Sequence, residues 1–331
     1  MSVLVTGGAG YIGSHVVHRL REAGRSPVVI DSLVTGHRDA VPEGVPFLVA
    51  DIAERERVGA FVRTHEVDAV MHFAALSQVG ESVREPRRYF RANLGATHDL
   101  LETVLDHGIR CLVFSSTAAV YGTPRVTPIP EGHPTDPVNP YGVTKLGIER
   151  MLLAYDDAYG LRHVALRYFN AAGALAEAGL GERHDPESHL IPLILAKALG
   201  AARDLVVHGD DYDTPDGTCV RDYIHVVDLA DAHVTALEHL ERGGRSETFN
   251  LGTGRGHSVR EVLDAARRVT GHDIPASVGP RRPGDPPVLV ANPSRAESTL
   301  GFAARRSSLE EMIGDAWRFH SASAARGAGS R

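Results

Sequence analysis

Through the first half of the chain, short runs of β-branched and other apolar residues alternate with longer stretches whose apolar positions recur at helical spacing. This alternation predicts a parallel sheet covered by helices on both faces, because a strand can be followed by a parallel neighbour only after a crossover. Strands are expected at 2–6, 27–30, 46–49, 69–73, 110–115 and 163–168, and helices at 12–23, 54–64, 86–107 and 141–159. The expected fold class is α/β, a Rossmann-like doubly wound sheet. After Asn170 the pattern changes. A Gly/Ala-rich passage leads to Gly181, and helices expected at 226–240 and 259–269 lie among loops such as 209–218 and the Pro/Arg-rich 279–287. The last residues, 321–331, carry too little apolar content to pack and are expected to form a flexible tail.

Composition narrows the class. At 331 residues, 43% apolar and 23% charged, the chain can build a core of about two domains' size. Lys+Arg 35 against Asp+Glu 42 gives a net charge of -7, which speaks against nucleic acid as a partner. Cys111 and Cys219 lack the paired spacing of a zinc or redox motif and fit a reducing compartment, so a cytoplasmic location is expected. The apolar stretch 190–199 is interrupted by Pro192 and Lys197 and falls far short of the ~20 residues of a membrane span. No leader peptide is expected, since the first strand runs directly into a glycine loop. Among 35 basic residues only Lys145 and Lys197 are lysine, so each raises a chemical question.

Two local patterns carry chemistry. In Val3-Leu4-Val5-Thr6-Gly7-Gly8-Ala9-Gly10-Tyr11-Ile12-Gly13, a strand meets a glycine loop and then a helix. Glycines permit the tight turn and close approach of backbone to a pyrophosphate, whose charge then rests at the helix N-terminus. Asp31 ends the second strand, where an acid hydrogen-bonds a ribose hydroxyl pair and repels a 2′-phosphate, favouring NAD over NADP, although Arg38 stands near. In Tyr141-Gly142-Val143-Thr144-Lys145 the i, i+4 spacing puts a phenol and an ammonium on one helix face. A neighbouring ammonium and a cationic nicotinamide both favour the phenolate, so the phenol is expected to titrate below its usual value of ~10 and to act as a base. Cys111-Leu112-Val113-Phe114-Ser115-Ser116-Thr117 reads as a buried strand ending in hydroxyls at the carboxyl edge of the sheet, where Thr117 could hydrogen-bond a reacting hydroxyl or cap a turn.

These motifs resemble the extended short-chain dehydrogenase/reductase superfamily, and within it the subfamily of UDP-galactose 4-epimerases, from the first strand to about Trp317. The more specific pieces are His72-Phe73-Ala74-Ala75, Val79-Gly80-Glu81-Ser82, Phe114-Ser115-Ser116, Val120-Tyr121-Gly122, Arg167-Tyr168-Phe169-Asn170, Asp213-Thr214-Pro215-Asp216-Gly217-Thr218 and Val220-Arg221-Asp222-Tyr223-Ile224-His225-Val226. The resemblance implies Tyr141 as base, Lys145 as its electrostatic partner and a nicotinamide-ribose contact, and Thr117 as hydrogen-bonder of the reacting hydroxyl. For the cofactor NAD it implies Gly7, Gly10, Tyr11, Ile12 and Gly13, with Asp31 and Ser32 at the ribose and Asp51 and Ile52 bordering adenine. Phe73, Ala74, Ala75 and Ser115 would line the dinucleotide, and Tyr168 and Phe169 would lie near the nicotinamide. A UDP-sugar substrate would be held by Asn170, His189, Leu190, Arg221, Arg282 and Asp285, with the two Arg on the diphosphate and Asp285 on the uridine ribose. The same resemblance implies a homodimer paired through the two long helices at 86–107 and 141–159. Residues 1–170 would then bind NAD and 171–320 mainly the UDP-sugar, with some segments returning to the first unit.

Three departures stand out: Ser77 where some members carry lysine, His189 where some carry asparagine, and Leu289 at a place associated with sugar preference. The reaction implied is epimerisation at sugar C4 by transient oxidation, so the chain is expected to be an isomerase interconverting UDP-galactose and UDP-glucose. A 4-epimerase for an N-acetylated or pentose UDP-sugar is the alternative, and a non-catalytic dinucleotide-binding scaffold is a more distant one. A 4,6-dehydratase is disfavoured because Ala118 and Ala119 follow Thr117 where elimination needs a carboxylate. The 18 histidines form no metal-ligand pattern and are expected at the surface or behind the site, with no metal.

Overall fold

The computed structural model describes residues 1–201, 204–282 and 284–328. In chain order its strands are β1 (Ser2–Thr6), β2 (Ser26–Asp31), β3 (Phe47–Val49), β4 (Val67–His72), β5 (Cys111–Thr117), β6 (Arg162–Tyr168), β7 (Asn170–Ala172), β8 (Val206–His208), β9 (Val220–His225), β10 (Glu247–Leu251), β11 (Gly256–Ser258), β12 (Ser277–Gly279) and β13 (Val288–Leu289). Seven form one parallel sheet in the order β10-β6-β5-β4-β1-β2-β3. Strand order reverses between β1 and β4, which opens a crevice beyond their carboxyl ends.

Both faces of this sheet are buried, which is why its strands read as continuous apolar runs. On β1, Val3 and Val5 face a layer holding Val16, Val17 and Leu20, while Leu4 faces the opposite layer with Val58, Leu100, Ile148 and Leu152. The helix Val226–Glu241 lies on the first of these layers and packs against the helix Tyr11–Glu22. The seventh strand, β10, was not legible as a strand: within Glu247–Leu251 only Phe249 and Leu251 are apolar. Asn250 between them is fully buried, accepting from the Tyr121 hydroxyl at 2.7 Å and donating to the Ile129 carbonyl at 2.8 Å.

The rest of the C-terminal half builds smaller sheets. β11, β9 and β13 pair side by side, β7 adds to β9, and β12 pairs with β8. The helices Leu190–Ala198, Val259–Thr270 and Leu309–Ala328 share a second core around Ile194, Leu195, Val262, Met312 and Ile313.

Two expectations are corrected. The helix expected at 86–107 is not uniform: Pro86–Tyr89 and Ala96–Asp106 are α-helical, and Phe90–Gly95 between them is a π-turn. The buried Asn93 side chain in that turn accepts from the Leu76 N–H at 2.8 Å and donates to the Leu76 carbonyl at 3.0 Å and the Thr144 hydroxyl at 3.1 Å. It thereby ties the loop after β4 to the helix bearing Lys145, and wide turns of this kind concentrate at functional sites. The tail is also not structureless, since the last helix continues through 321–328 with Ala322, Ala324 and Ala325 exposed. Alanine's helix propensity sustains a turn that buries little, and residues 329–331 lie outside the described residues. Among the described residues no helix is long and apolar enough to cross a membrane.

Candidate active site

The crevice begins at the turn after β1. Gly7 has φ +71, a conformation open to glycine, and a Cβ there would lie 2.6 Å from the Ala74 nitrogen. A Cβ on Gly13 would meet the Gly7 carbonyl oxygen at 2.2 Å, so neither position tolerates a side chain without moving backbone. At Gly10, the N-cap of the helix Tyr11–Glu22, the first turn holds no acidic residue and, among the described residues, no side chain caps it. Its N–H groups and dipole are thus available to an anion. Asp31 is buried; its Oδ2 accepts from Ala9 N at 2.9 Å and its Oδ1 from Leu33 N at 2.8 Å. Burial raises its pKa while those N–H groups oppose the rise, and spare lone pairs on both oxygens leave it able to receive hydroxyls. This cradle fits a dinucleotide of the NAD type. Phe73, Ala74 and Ala75 follow β4 on the other side of the crevice, half-buried, with the Phe73 ring 4.7 Å from that of His233. Ser32 and Asp51 are exposed at the ends of β2 and β3, whereas Ile52 is a core residue packed with Leu4, Ile30 and Ala50.

Tyr141 and Lys145 enter at the start of the helix Pro140–Tyr159, which Asn139 caps by accepting from Gly142 N at 2.9 Å. Lys145 is buried; its Nζ donates to the Ser115 carbonyl at 2.8 Å and lies 4.9 Å from the Phe114 ring centroid and 6.0 Å from that of Tyr141. Burial pulls this ammonium down to about 7, and Glu149 one turn further along the helix works against that fall. Tyr141 moves the other way, pushed up to about 12 by burial, with the hydrogen-bonded Thr117 hydroxyl opposing. The expected lowering of the phenol counts a nicotinamide charge as well as the ammonium; in the protein alone burial outweighs the Thr117 hydrogen bond, and the Lys145 ammonium donates to a carbonyl. Thr117 caps the turn Ala118–Tyr121 by accepting from Ala119 N at 3.1 Å, and its hydroxyl also reaches Tyr141. Beneath the pair, Glu149 binds Arg167 and accepts from the Ser116 hydroxyl at 2.5 Å, all three buried. Tyr168 is buried and hydrogen-bonds the Ser115 hydroxyl, and burial raises its phenol.

Opposite these groups stand the residues expected to hold a sugar nucleotide. Asn170 begins β7 and pairs with Tyr223 of β9, whose Arg221 pairs in turn with Leu289 of β13. Phe169 and Leu289 pack partly buried against one cluster, with Ala118, Val120, Tyr121 and Ile129. Arg221 and Asp285 are ion-paired at 2.5 Å, so the guanidinium and the carboxylate form one unit. Arg282 is exposed, and its charge reaches His189, the N-cap of the helix that Leu190 begins.

Several participants escaped sequence reasoning. His15, His72, His163, His225 and His233 are core residues and not surface ones, and His233 contacts both Phe73 and Tyr168. Asn93 and Glu149 carry no motif, and only the i, i+4 step from Lys145 could have flagged Glu149, whereas Arg167 opens the segment Arg167-Tyr168-Phe169-Asn170 without its pairing to Glu149 being legible there. The loop after β7 brings Glu182, His184, Glu187 and His189 together, although their spacing matches no regular element.

Comparison with known proteins agrees with this geometry. Residues 3–252 match the NAD dependent epimerase/dehydratase family. The chain is 52% identical over 320 residues to a UDP-glucose 4-epimerase of Halalkalibacterium halodurans, covering 97% of this chain and 96% of that protein. It superposes on the crystal structure of UDP-glucose 4-epimerase from Brucella ovis in complex with NAD with a TM-score of 0.93, at 50% identity and with 96% and 97% of the two chains covered. On the enzyme from Bifidobacterium longum in complex with NAD+ and UDP the TM-score is 0.92, at 38% identity, covering 97% and 98%. A family match over the whole doubly wound sheet, with near-complete relatives at half identity, leads to one conclusion: this chain belongs to the NAD dependent epimerase/dehydratase family.

Proposed function

We propose that this protein is a UDP-glucose 4-epimerase that interconverts UDP-galactose and UDP-glucose, an NAD-dependent isomerase. The observation that carries the reading is the convergence of Tyr141, Thr117 and Lys145 at the carboxyl edge of β5, in the same sheet whose first strand leads into the dinucleotide cradle. Full-length relatives at about half identity share that activity.

Tyr141 takes the proton of the sugar C4 hydroxyl while Thr117 hydrogen-bonds the same oxygen. NAD, when bound, would supply the acceptor and returning donor of the C4 hydride, together with a positive charge that adds to that of Lys145 beside the phenol. Lys145 anchors the ribose side and contributes charge near Tyr141. As the 4-keto sugar presents its other face, Tyr141 returns the proton, and C4 is inverted with no net redox change. Arg221 and Arg282 hold the diphosphate with His189, Asn170 and Leu190 beside them, and Asp285 takes the uridine ribose. The diphosphate is thus the fixed end about which the keto sugar turns. The NAD-binding unit corresponds to 1–170 and the UDP-sugar lobe mainly to 171–320, and the compartment is the cytoplasm. Phe90, Val143, Leu153 and Tyr159 leave apolar surface exposed on the two helical runs at 86–106 and 140–159, which supports pairing of two copies through them.

Three outcomes are expected. Purified protein given UDP-galactose without added NAD brings it to equilibrium with UDP-glucose, and Tyr141→Phe lowers turnover by ~10²–10⁴ while nucleotide binding persists; near wild-type turnover would remove Tyr141 from the chemistry. Leu289→Ser raises activity on UDP-N-acetylglucosamine relative to UDP-glucose, since a hydrophobic wall discriminates by about 1–3 kcal/mol; equal wild-type efficiency on both sugars would refute the wall. Light scattering at micromolar concentration gives the mass of two chains, and a monomer throughout would sink the paired-helix interface.

A further inference from the structure

The loop 182–189 joins the sugar-nucleotide side of the crevice to the helix Leu190–Ala198, and its sequence, Glu182-Arg183-His184-Asp185-Pro186-Glu187-Ser188-His189, folds four metal-ligating side chains onto one point. One ligand atom from each of Glu182, His184, Glu187 and His189 can be chosen so that all lie within 4.8 Å of one another. Glu182 is the buried centre. Its Oε1 faces His184 Nδ1 at 3.0 Å and also hydrogen-bonds His189 Nδ1. Glu187 lies 3.9 Å from His184 Nδ1 and 3.7 Å from His189 Nδ1. A tetrahedron with metal–ligand bonds of about 2.0–2.1 Å has edges of about 3.3–3.4 Å, within the spread of these separations.

The electrostatics of the loop point the same way. Two carboxylates lie close together, one of them buried. Arg183 does not neutralise them, because its guanidinium turns outward to Asp39. One divalent ion would place positive charge beside both carboxylates with both imidazoles neutral. We propose that Glu182, His184, Glu187 and His189 bind one divalent cation of the zinc class. Two imidazole nitrogens favour zinc or a neighbouring transition metal over magnesium or calcium, which prefer all-oxygen shells. Bound through Nδ1, His189 keeps its Nε2 as the remaining N–H donor at the N-cap of the helix that begins with Leu190. The cation would thus fix the loop and one tautomer of a substrate-side residue, with no part in the C4 chemistry.

The test uses the full chain, stripped with chelator, exchanged into metal-free buffer and titrated with zinc chloride alone. One Zn2+ per chain is expected by calorimetry and by elemental analysis after desalting, with a rise in melting temperature that chelator reverses. His184→Ala and Glu187→Gln should each weaken zinc binding by at least about tenfold, since even an outer-shell substitution costs ~10–100-fold. Both should remain folded by circular dichroism and continue to epimerise UDP-galactose, which separates failure of this site from failure of the epimerase reading. Wild-type protein that takes up no stoichiometric zinc, or uptake unchanged in both variants, overturns the proposal and leaves the cluster a proton-shared ion-pair knot.

Discussion

A half-buried phenol and a buried ammonium beside each other at the end of β5 set the terms for everything around them. Water would hold Tyr141 near its ordinary value and Lys145 firmly charged; burial instead pushes the phenol up to about 12 and draws the ammonium down to about 7. Each group is thereby less ionised than its chemistry requires, and the surroundings are arranged to restore the balance. The Ser115 carbonyl receives the lysine proton at 2.8 Å, Glu149 holds negative charge beneath it, and Thr117 hydrogen-bonds the phenol. Glu149 can sit there because Arg167 and Ser116 satisfy its buried oxygens. In the proposed reaction the positive charge of an oxidised nicotinamide would add to that of Lys145 in favouring the phenolate.

The fold serves this pair by bringing strand ends together. Strand order reverses between β1 and β4, so the glycine turn, Asp31, Phe73 and the hydroxyl end of β5 open onto one crevice. The Asn93 clamp between Leu76 and Thr144 then fixes the position of the helix carrying Lys145 relative to that edge. From the other side, β9 places Arg221 next to Asp285 and Leu289.

What could be read from the chain alone follows from how local each feature is. The glycine turn and the Tyr141/Lys145 pair are confined to a few residues, and their backbone and helix geometry are dictated by spacing. The first six strands were legible because both faces of a parallel sheet are largely buried and the centres of the runs are apolar. β10 was not, because Asn250 interrupts it and becomes acceptable only once Tyr121 and Ile129, more than a hundred residues earlier, arrive to pair with it. The π-turn was hidden for the same reason, since its cause is the Leu76 backbone and not the helix sequence. Proximity on the helix pairs the phenol with an ammonium; the desolvation that raises the phenol in the protein alone is a tertiary quantity.

The central claim is that desolvation keeps Tyr141 protonated until the positive charge of the oxidised cofactor releases it. The direct measurement is an ultraviolet difference titration of the NAD-loaded protein, oxidised and then reduced, each referenced to Tyr141→Phe in the same state. The account predicts a lower phenol pKa with the oxidised cofactor than with the reduced one, because reduction removes the ring's positive charge while leaving burial unchanged. Identical values in the two states would contradict it and return the activation of Tyr141 to the protein's own residues.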